Sequence, residues 1–228
     1  MYFTTLDRAL RSRPTLIKAV IYSVASLMPL VIWLQTHSDL LYYFQHETPP
    51  GQATYIFSKL LGFYVISLLW LQLLIAKLPK SNSHKKKVKP PTNEHVYIGF
   101  AVFLTIFSHI LCFIFAVFLR SGKAPIQLFV PNLNQDYYHN SISIGAIGLW
   151  LIVIVMLAGL ARRHKIIIGS VMHKLAFPAF FLGLIHSFLI GTETRSFVYF
   201  AFVSFMIFTL LILYLYSVSK PYRTIITS

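Results

Sequence analysis

Apolar residues are gathered into six long runs along the chain, and short polar segments separate the runs. These runs predict helices at residues 16–36, 53–78, 94–119, 141–161, 170–191 and 196–217. Each predicted helix has roughly 20 residues or slightly more, which is the length needed to cross a hydrocarbon core of about 30 Å. The pattern therefore predicts an all-α fold: an integral membrane six-helix bundle that forms a single domain over residues 1–228.

Composition agrees with a membrane protein. Hydrophobic residues make up 57% of the chain and charged residues only 11%, whereas soluble domains have about 25% charged residues. The formal net charge of +14 raises the question of nucleic acid binding. The basic residues lie at the ends of the apolar runs, where they orient a membrane protein, and do not follow one soluble face. We therefore expect the lipid bilayer as a partner and no nucleic acid.

The distribution of basic residues predicts the orientation. If the N-terminus is cytoplasmic, sixteen of the twenty Lys and Arg residues lie in inner segments. Only Arg120, Lys123 and Arg195 then lie outside, and Lys59 lies within the second run. Because cytoplasmic segments carry the excess of Lys and Arg, both termini are predicted to be cytoplasmic. We expect the bacterial inner (cytoplasmic) membrane, with the outer stretches 37–52 and 120–140 forming a small lid over the helix ends.

Four histidines within the apolar runs are the candidate functional residues. His95 and His109 are fourteen residues apart in the third run, and His173 and His186 are thirteen apart in the fifth. A titratable side chain in hydrocarbon is costly unless it has a partner. At 1.5 Å rise per residue the two spacings are about 21 and 20 Å, so the residues pair by depth as His95/His173 and His109/His186. Neutral imidazole is a common axial ligand of haem, so the pairs predict two haems.

The angular positions of the histidines agree less well than their depths. Fourteen residues return a helix close to its starting face, whereas thirteen leave it about 140° away. Pro178 lies between His173 and His186 and predicts a kink. Taken alone, a histidine at a helix end such as His95 is more often an interfacial residue. The remaining histidines are predicted to be surface residues: His37, His46, His84, His139 and His164.

Parts of the runs resemble a known membrane family. Segment 94–99 (EHVYIG), continuing to Ser108-His109, resembles the third helix of the ferric reductase-like transmembrane domain. Segment 172–176 (MHKLA), continuing to His186, resembles the fifth helix, including its thirteen-residue spacing. Resemblance to the second and fourth helices is carried by Leu61-Gly62, Leu71-Gln72, Gly148 and Arg162-Arg163. The family includes ferric reductases and the membrane part of NADPH oxidases.

The resemblance implies electron transport through two stacked haem b groups. His95 with His173 would ligate the inner haem iron, and His109 with His186 the outer one. Electrons would pass from a cytoplasmic-side donor to an external acceptor, namely ferric iron, oxygen or a periplasmic protein. Because the sequence has no Gly-rich dinucleotide fingerprint, we expect a separate donor: a flavoprotein, free reduced flavin or quinol. Any flavin is then free or bound to a partner.

Basic residues near the histidines are candidate partners for the anionic haem propionates. Lys174 and the pair Arg162-Arg163 are candidates in the inner layer, and Lys59 and Arg195 in the outer layer. The alternative interpretation of each is an interfacial anchor. Three acidic residues on the predicted outer side could form a weak site for ferric iron or could be merely solvated: Glu47, Asp136 and Glu193.

Other functions remain open from the sequence. One alternative is a haem-binding membrane subunit of a periplasmic methionine sulfoxide reductase-type system. A second, from a different class, is a non-haem transporter or channel in which buried histidines relay protons. No intramembrane Asp or Glu accompanies the histidines, which disfavours the relay. A haem-bearing assembly subunit is a third alternative.

Overall fold

The fold is a bundle of long helices. A computed structural model describes residues 14–37, 42, 46–77, 93–164 and 167–226, and the elements in that part of the chain are all helical. The α-helices are α1 (Pro14–Thr36), α2 (Gln52–Lys77), α3 (Asn93–Ser121), α4 (Tyr137–Arg163), α5 (Ile167–Met172), α6 (Ala176–Ile190) and α7 (Phe197–Ile226). Three short 3-10 turns cover Ile126–Phe129, His173–Leu175 and Glu193–Arg195.

The predicted six-helix membrane bundle is confirmed, because six helical segments are long and apolar enough to cross a membrane. The fifth of these combines α5, a 3-10 turn and α6. Two boundaries differ from the prediction by more than three residues. Helix α4 begins at Tyr137, where Asp136 caps it by accepting a hydrogen bond from the His139 amide, and α7 continues to Ile226. Hydropathy detects where a helix leaves the apolar layer, whereas helical hydrogen bonding can continue beyond that layer. The direction of the bundle across the membrane stays a prediction.

Two antiparallel hairpins make up most of the bundle. Helix α3 packs along α2, and α6 packs along α4, and these are the most extensive helix contacts. Helix α2 also contacts α6 and α7, so it joins the two hairpins, and α1 packs on its other side. In contrast, α3 and α4 barely touch each other. The core between the hairpins contains fully buried Trp70, Phe180 and Met206.

The fifth span is broken just before Pro178 and not at it. The 3-10 turn His173–Leu175 separates α5 from α6, and Pro178 is the third residue of α6. A proline in the first turn of a helix loses no essential hydrogen bond, but its ring crowds the carbonyl four residues earlier, here that of Lys174. A 3-10 turn advances about 120° per residue where an α-helix advances about 100°. Three such residues remove about 60° of the angular mismatch between His173 and His186.

Candidate functional site

Both histidines of the outer layer are held by backbone carbonyls of a neighbouring helix. His109 Nδ1 lies 2.7 Å from the carbonyl oxygen of Ser58 on α2. His186 Nδ1 lies 2.8 Å from the carbonyl oxygen of Ser141 on α4. A carbonyl only accepts hydrogen bonds, so each Nδ1 carries the proton and donates. Each Nε2 is then left with a lone pair, which is the form of imidazole that binds a metal.

A glycine makes room for each of these two rings. Gly62 is four residues after Ser58, and a Cβ atom there would lie 3.3 Å from Cε1 of His109. Gly145 is four residues after Ser141, and a Cβ atom there would lie 2.5 Å from Nδ1 of His186. Since real Cβ atoms do not approach other atoms so closely, the hydrogen bond of His186 requires glycine at position 145.

The inner layer repeats this arrangement once and departs from it once. His173 Nδ1 lies 3.1 Å from the carbonyl oxygen of Val155 on α4, and a Cβ atom at Gly159, four residues further on, would lie 3.7 Å from the ring. His95 is instead held by a side chain, because Gln72 Nε2 lies 2.9 Å from the His95 carbonyl oxygen and 3.2 Å from its Nε2. Three of the four histidines therefore share one mode of attachment.

The partner positions on α2 and α4 repeat at the same interval as the histidines of α3. Ser58 and Gln72 are fourteen residues apart on α2, and Ser141 and Val155 are fourteen apart on α4. Fourteen residues are nearly four helical turns, so both partners lie on one face of their helix. Each layer takes one histidine from each hairpin. The two hairpins thus meet at two levels through their histidines.

The inner histidines face each other at a distance suited to a shared metal. The ring centroids of His95 and His173 are 5.9 Å apart, and the ring planes are inclined by 65°. An imidazole nitrogen lies about 2 Å from the metal that it binds, so two axial imidazoles on one iron have ring centres about 6 Å apart. The observed separation fits that arrangement.

The outer histidines line a common cavity. His109 and His186 both contribute to its wall, and its empty volume, including its open part, is about 1330 Å³. Helices α2, α3, α4 and α6 supply the walls, which are mainly aliphatic and aromatic and include Phe63, Ile106 and Leu149. Sites for organic ligands and cofactors are usually apolar concavities with a few placed polar groups. The cavity has that character, with the two imidazoles, Lys59 and Glu193 as polar groups on a mainly apolar wall.

The donor set fits haem iron better than a bare metal ion. Within the described ranges, no group of three or more His, Cys, Asp or Glu side chains could hold a metal ion. Each layer offers two imidazoles only, and a metal held by two protein ligands must bring its other ligands with it. Haem iron does so, because the porphyrin leaves just the two axial positions to the protein.

The cation in the second span has a buried counter-ion. Lys59 Nζ lies 2.6 Å from Glu193 Oε1 and 3.2 Å from Thr192 Oγ1, and both charged residues line the outer cavity. The Glu193 side chain is only 4% exposed. Burial raises its pKa, but the hydrogen bonds and charge of Lys59 outweigh burial and hold the pKa below its ordinary value. The prediction of a solvated Glu193 is wrong, because the turn Glu193–Arg195 folds its first residue inward onto Lys59.

The predicted cation site of Glu47, Asp136 and Glu193 does not form. Glu193 is buried with Lys59, Asp136 is exposed and bonded to His139, and Glu47 is exposed. Moreover, no such cluster of possible metal ligands exists in the part of the chain that the structure describes. All three carboxylates were predicted to lie on the same side of the membrane, but in the structure each one has different surroundings.

His37 is buried, contrary to its prediction as a surface residue. Its side chain is 7% exposed, and its Nε2 lies 3.5 Å from Glu193 Oε1. Its Nδ1 lies 3.0 Å from the carbonyl oxygen of Trp33. The position at the end of α1 looked solvated in the sequence, but the Glu193–Arg195 turn covers it. Of the other predicted surface residues, His46 and His164 are exposed, His139 is partly exposed, and His84 lies outside the described residues.

Three further basic candidates, Lys174, Arg195 and Arg162, are exposed, and the side chain of Arg163 lies outside the described part of the chain. Lys174 lies in the 3-10 turn directly after His173, at the level of the inner histidines. Arg195 ends the turn that begins with Glu193, and Arg162 lies near the end of α4. Of the predicted propionate partners, Lys59 alone is shown on the wall of the described cavity. The others stay predictions.

Sequence reasoning missed the groups that orient the histidines. Three are backbone carbonyls, those of Ser58, Ser141 and Val155, which no sequence pattern marks. A usable signal was the pair Gly145 and Gly159, since two glycines fourteen residues apart in an apolar run match the histidine interval.

Comparison of the chain with family models, curated proteins and solved structures gives no match. The likeness to ferric reductase-like domains therefore rests on the quoted sequence motifs. A functional conclusion has to come from the geometry of the two histidine layers.

Proposed function

We propose that the protein is a di-haem b-type membrane cytochrome that moves electrons between a cytoplasmic-side donor and an external acceptor. The observation that carries the proposal is the arrangement of four histidines in two layers, with one residue from each hairpin per layer. Haem, when bound, supplies one-electron redox chemistry that no side chain of this composition offers. His95 and His173 would hold the inner group, and His109 and His186 the outer one.

The hydrogen bonds of the rings support ligation. His109, His173 and His186 each donate from Nδ1 to a carbonyl, which fixes the ring orientation and makes Nε2 a better ligand. Metal-binding histidines almost always have such a partner on the second nitrogen. With both axial positions filled by imidazole, outer-sphere electron transfer is favoured over binding of oxygen to the metal.

The surroundings of the outer layer suit an anionic, mainly apolar cofactor. Aliphatic and aromatic side chains line most of the cavity, and glycines at 62 and 145 leave space beside the rings. Lys59 places a positive charge on the cavity wall, shared with Glu193. Lys59 and Arg195 are proposed to contact outer propionates, and Lys174 inner ones.

The electron partners belong to the proposal as well. The donor would be a separate flavoprotein, free reduced flavin or quinol, and the acceptor ferric iron, oxygen or a periplasmic protein. The bacterial inner membrane is the proposed location, with the outer cavity facing away from the cytoplasm, because the basic residues favour that orientation.

Haem quantification with single variants tests the proposal. The purified protein should contain about two haems per chain and show a split b-type band in an anaerobic reduced-minus-oxidised spectrum. His109→Ala and His186→Ala should each lose the same haem, and His95→Ala and His173→Ala the other. His139→Ala is the matched control, because its side chain lies outside both layers and bonds the exposed cap residue Asp136.

Two results would overturn this function. A colourless wild-type protein, purified with haem supplied during expression, would exclude a cytochrome; histidine-dependent proton flux in liposomes would then favour the relay. Full haem content in all four histidine variants would show that haem binds elsewhere. Normal membrane insertion of each variant, checked by size-exclusion chromatography in detergent, separates ligand loss from misfolding.

A further inference from the structure

The connection between α3 and α4 has an unusual charge pattern. Residues 124–133 (APIQLFVPNL) contain no charged side chain, whereas Arg120 and Lys123 precede them and Asp136 follows. A connection that crosses water at the membrane surface is normally polar. An uncharged apolar stretch between charged flanks is typical of a segment that dips into an apolar phase.

Contacts with α4 show how far the segment descends. Ser143 Oγ donates to the Asn132 carbonyl oxygen at 2.9 Å and accepts from the Asn132 amide at 3.0 Å. Trp150 Nε1 donates to the Phe129 carbonyl oxygen at 3.0 Å. Ser143 and Trp150 lie about 9 and 20 Å along the helix axis from Tyr137, the first residue of α4. The Trp150 side chain leans towards the start of α4. Phe129 nevertheless lies well below Tyr137 along the helix axis.

The segment reaches the level of the outer histidines. Leu128 and Phe129 line the same cavity as His186. His186 is itself bonded to Ser141, a position above Ser143 on α4. The segment therefore does not lie over the outer helix ends as a lid, which the sequence predicted for this stretch, but descends beside them.

Most of the large side chains that face away from the protein at this depth are apolar, although Gln127 and Asn132 are exposed as well. Ile126 is 67% exposed, Val130 72% and Leu133 54%. Non-helical backbone within a membrane is tolerated only where protein satisfies its polar groups or where it lines a cavity. The segment meets these conditions in part, because Ser143 and Trp150 bond the backbone of Asn132 and Phe129, the 3-10 turn bonds its own amides, and Leu128 lines the cavity.

We propose that residues 124–133 form a re-entrant segment embedded in the outer leaflet, with lipid acyl chains as the partner of its exposed face. Helices α3 and α4 barely touch, and the segment packs on α4, where Leu128 and Phe129 contribute to the wall of the outer cavity. The proposal rests on the fold and does not depend on haem.

Cysteine accessibility tests the position of the segment. In a Cys112→Ser background, which removes the single native cysteine, Ile126→Cys and Val130→Cys are compared with Lys123→Cys and Gln135→Cys. The two control positions are exposed and lie at the charged or polar ends of the connection. In membrane fragments open on both sides, a charged maleimide should label the controls at least ten-fold faster. Unfolding in dodecyl sulfate should make all four rates equal.

Spin labels at position 130 separate lipid from protein burial. A nitroxide on Val130→Cys should be accessible to oxygen, which concentrates in lipid, and inaccessible to a water-soluble nickel chelate. Access to the chelate, or labelling of positions 126 and 130 as fast as the controls, would place the segment in water. Low access to both reagents would mean that protein covers this face. Each of these three results would overturn the proposal.

Discussion

The two histidine layers belong to the same four-helix framework, yet they are held differently. In the outer layer both rings donate to backbone carbonyls, and glycines at 62 and 145 leave them room. In the inner layer His173 follows that scheme, whereas His95 is held by the side chain of Gln72. Backbone carbonyls cannot be removed by substitution, but a glutamine can. The outer layer should therefore respond to steric changes and the inner layer to changes of polarity.

The two ends of the bundle differ in their ion pairs as well. At the outer end Lys59 and Glu193 are largely buried, with side chains 18% and 4% exposed. At the opposite end the Lys18–Glu94 pair, at 2.9 Å, leaves both side chains more than 40% exposed. Buried pairs are costly to break, whereas exposed pairs contribute little. This contrast predicts where charge removal will affect the fold.

The largest effect is expected from Gly145→Ala. A Cβ atom at 145 would lie 2.5 Å from His186 Nδ1, so the ring must leave its hydrogen bond to Ser141. We expect loss of the outer haem with retention of the inner one, measured by haem content and the reduced-minus-oxidised spectrum. Gly148→Ala on the same helix is the control, because its nearest neighbour would be an ordinary contact at 3.6 Å. Equal haem loss in both variants would contradict the steric account.

The glycine series can be graded further. Gly62→Ala should weaken the outer site less than Gly145→Ala, since its closest contact, with His109, would be 3.3 Å. Gly159→Ala should leave the inner haem in place, because a Cβ atom there would meet His173 at 3.7 Å. A different order of haem retention among the three variants would count against the ring positions described.

Breaking the buried ion pair should give the next largest effect. Lys59→Met leaves the Glu193 carboxylate buried without its main counter-charge, and breaking such a pair costs about 3–5 kcal/mol. The free energy of unfolding in mixed detergent micelles measures the loss. The double variant Lys59→Met/Glu193→Gln should recover part of it. Lys18→Met is the control and should cost about 0–1 kcal/mol, since that pair is exposed.

A smaller effect is expected from Gln72→Leu. The substitution removes the amide that donates to the His95 carbonyl oxygen and holds this residue in place. The same amide also approaches His95 Nε2, and iron would have to replace that second contact. Loss of a group that orients a metal ligand weakens binding by about ten-fold or somewhat more. Haem titration of the apoprotein should therefore show a weaker inner site with the outer site unchanged. Tighter or unchanged inner binding would mean that Gln72 does not orient His95.

The buried pair also predicts a dependence of stability on pH. The pKa of Glu193 is lower in the folded protein than its ordinary value of 4.5. Folding is then favoured by its ionisation above about pH 4.5, and that contribution is lost as the pH falls through the lowered pKa. The difference in melting temperature between wild type and Glu193→Gln should be largest near pH 6 and shrink towards pH 3. A constant difference would exclude ionisation of Glu193 as the cause.

Hydropathy predicted the number and approximate bounds of the membrane helices, because burial in lipid requires long uninterrupted apolar runs. The spacing of His95, His109, His173 and His186 also predicted two layers, since depth in a straight helix follows from residue count alone. A kink in the fifth span was predicted at Pro178, because a proline can be recognised in the sequence. The 3-10 turn that actually interrupts the span lies before Pro178 and results from crowding of the backbone.

Contacts between distant segments could not be predicted in this way. The burial of His37 and Glu193 depends on a turn that follows the fifth span and reaches back to α1 and α2. The descent of residues 124–133 depends on hydrogen bonds to Ser143 and Trp150, which are ordinary residues in any pattern. Long-range pairing of single loop residues leaves no periodic signal.

The amino-acid sequence by itself determined that this chain is a membrane bundle with histidines at two depths, because transfer to lipid and helical rise act locally and residue by residue. The tertiary structure alone decided that three of the imidazole rings bond a backbone carbonyl through Nδ1. It also decided which glycines leave room for these rings. It also decided that the outer cation is matched by a buried carboxylate. These features arise where two helices approach within hydrogen-bonding distance, and that approach depends on the packing of the whole bundle.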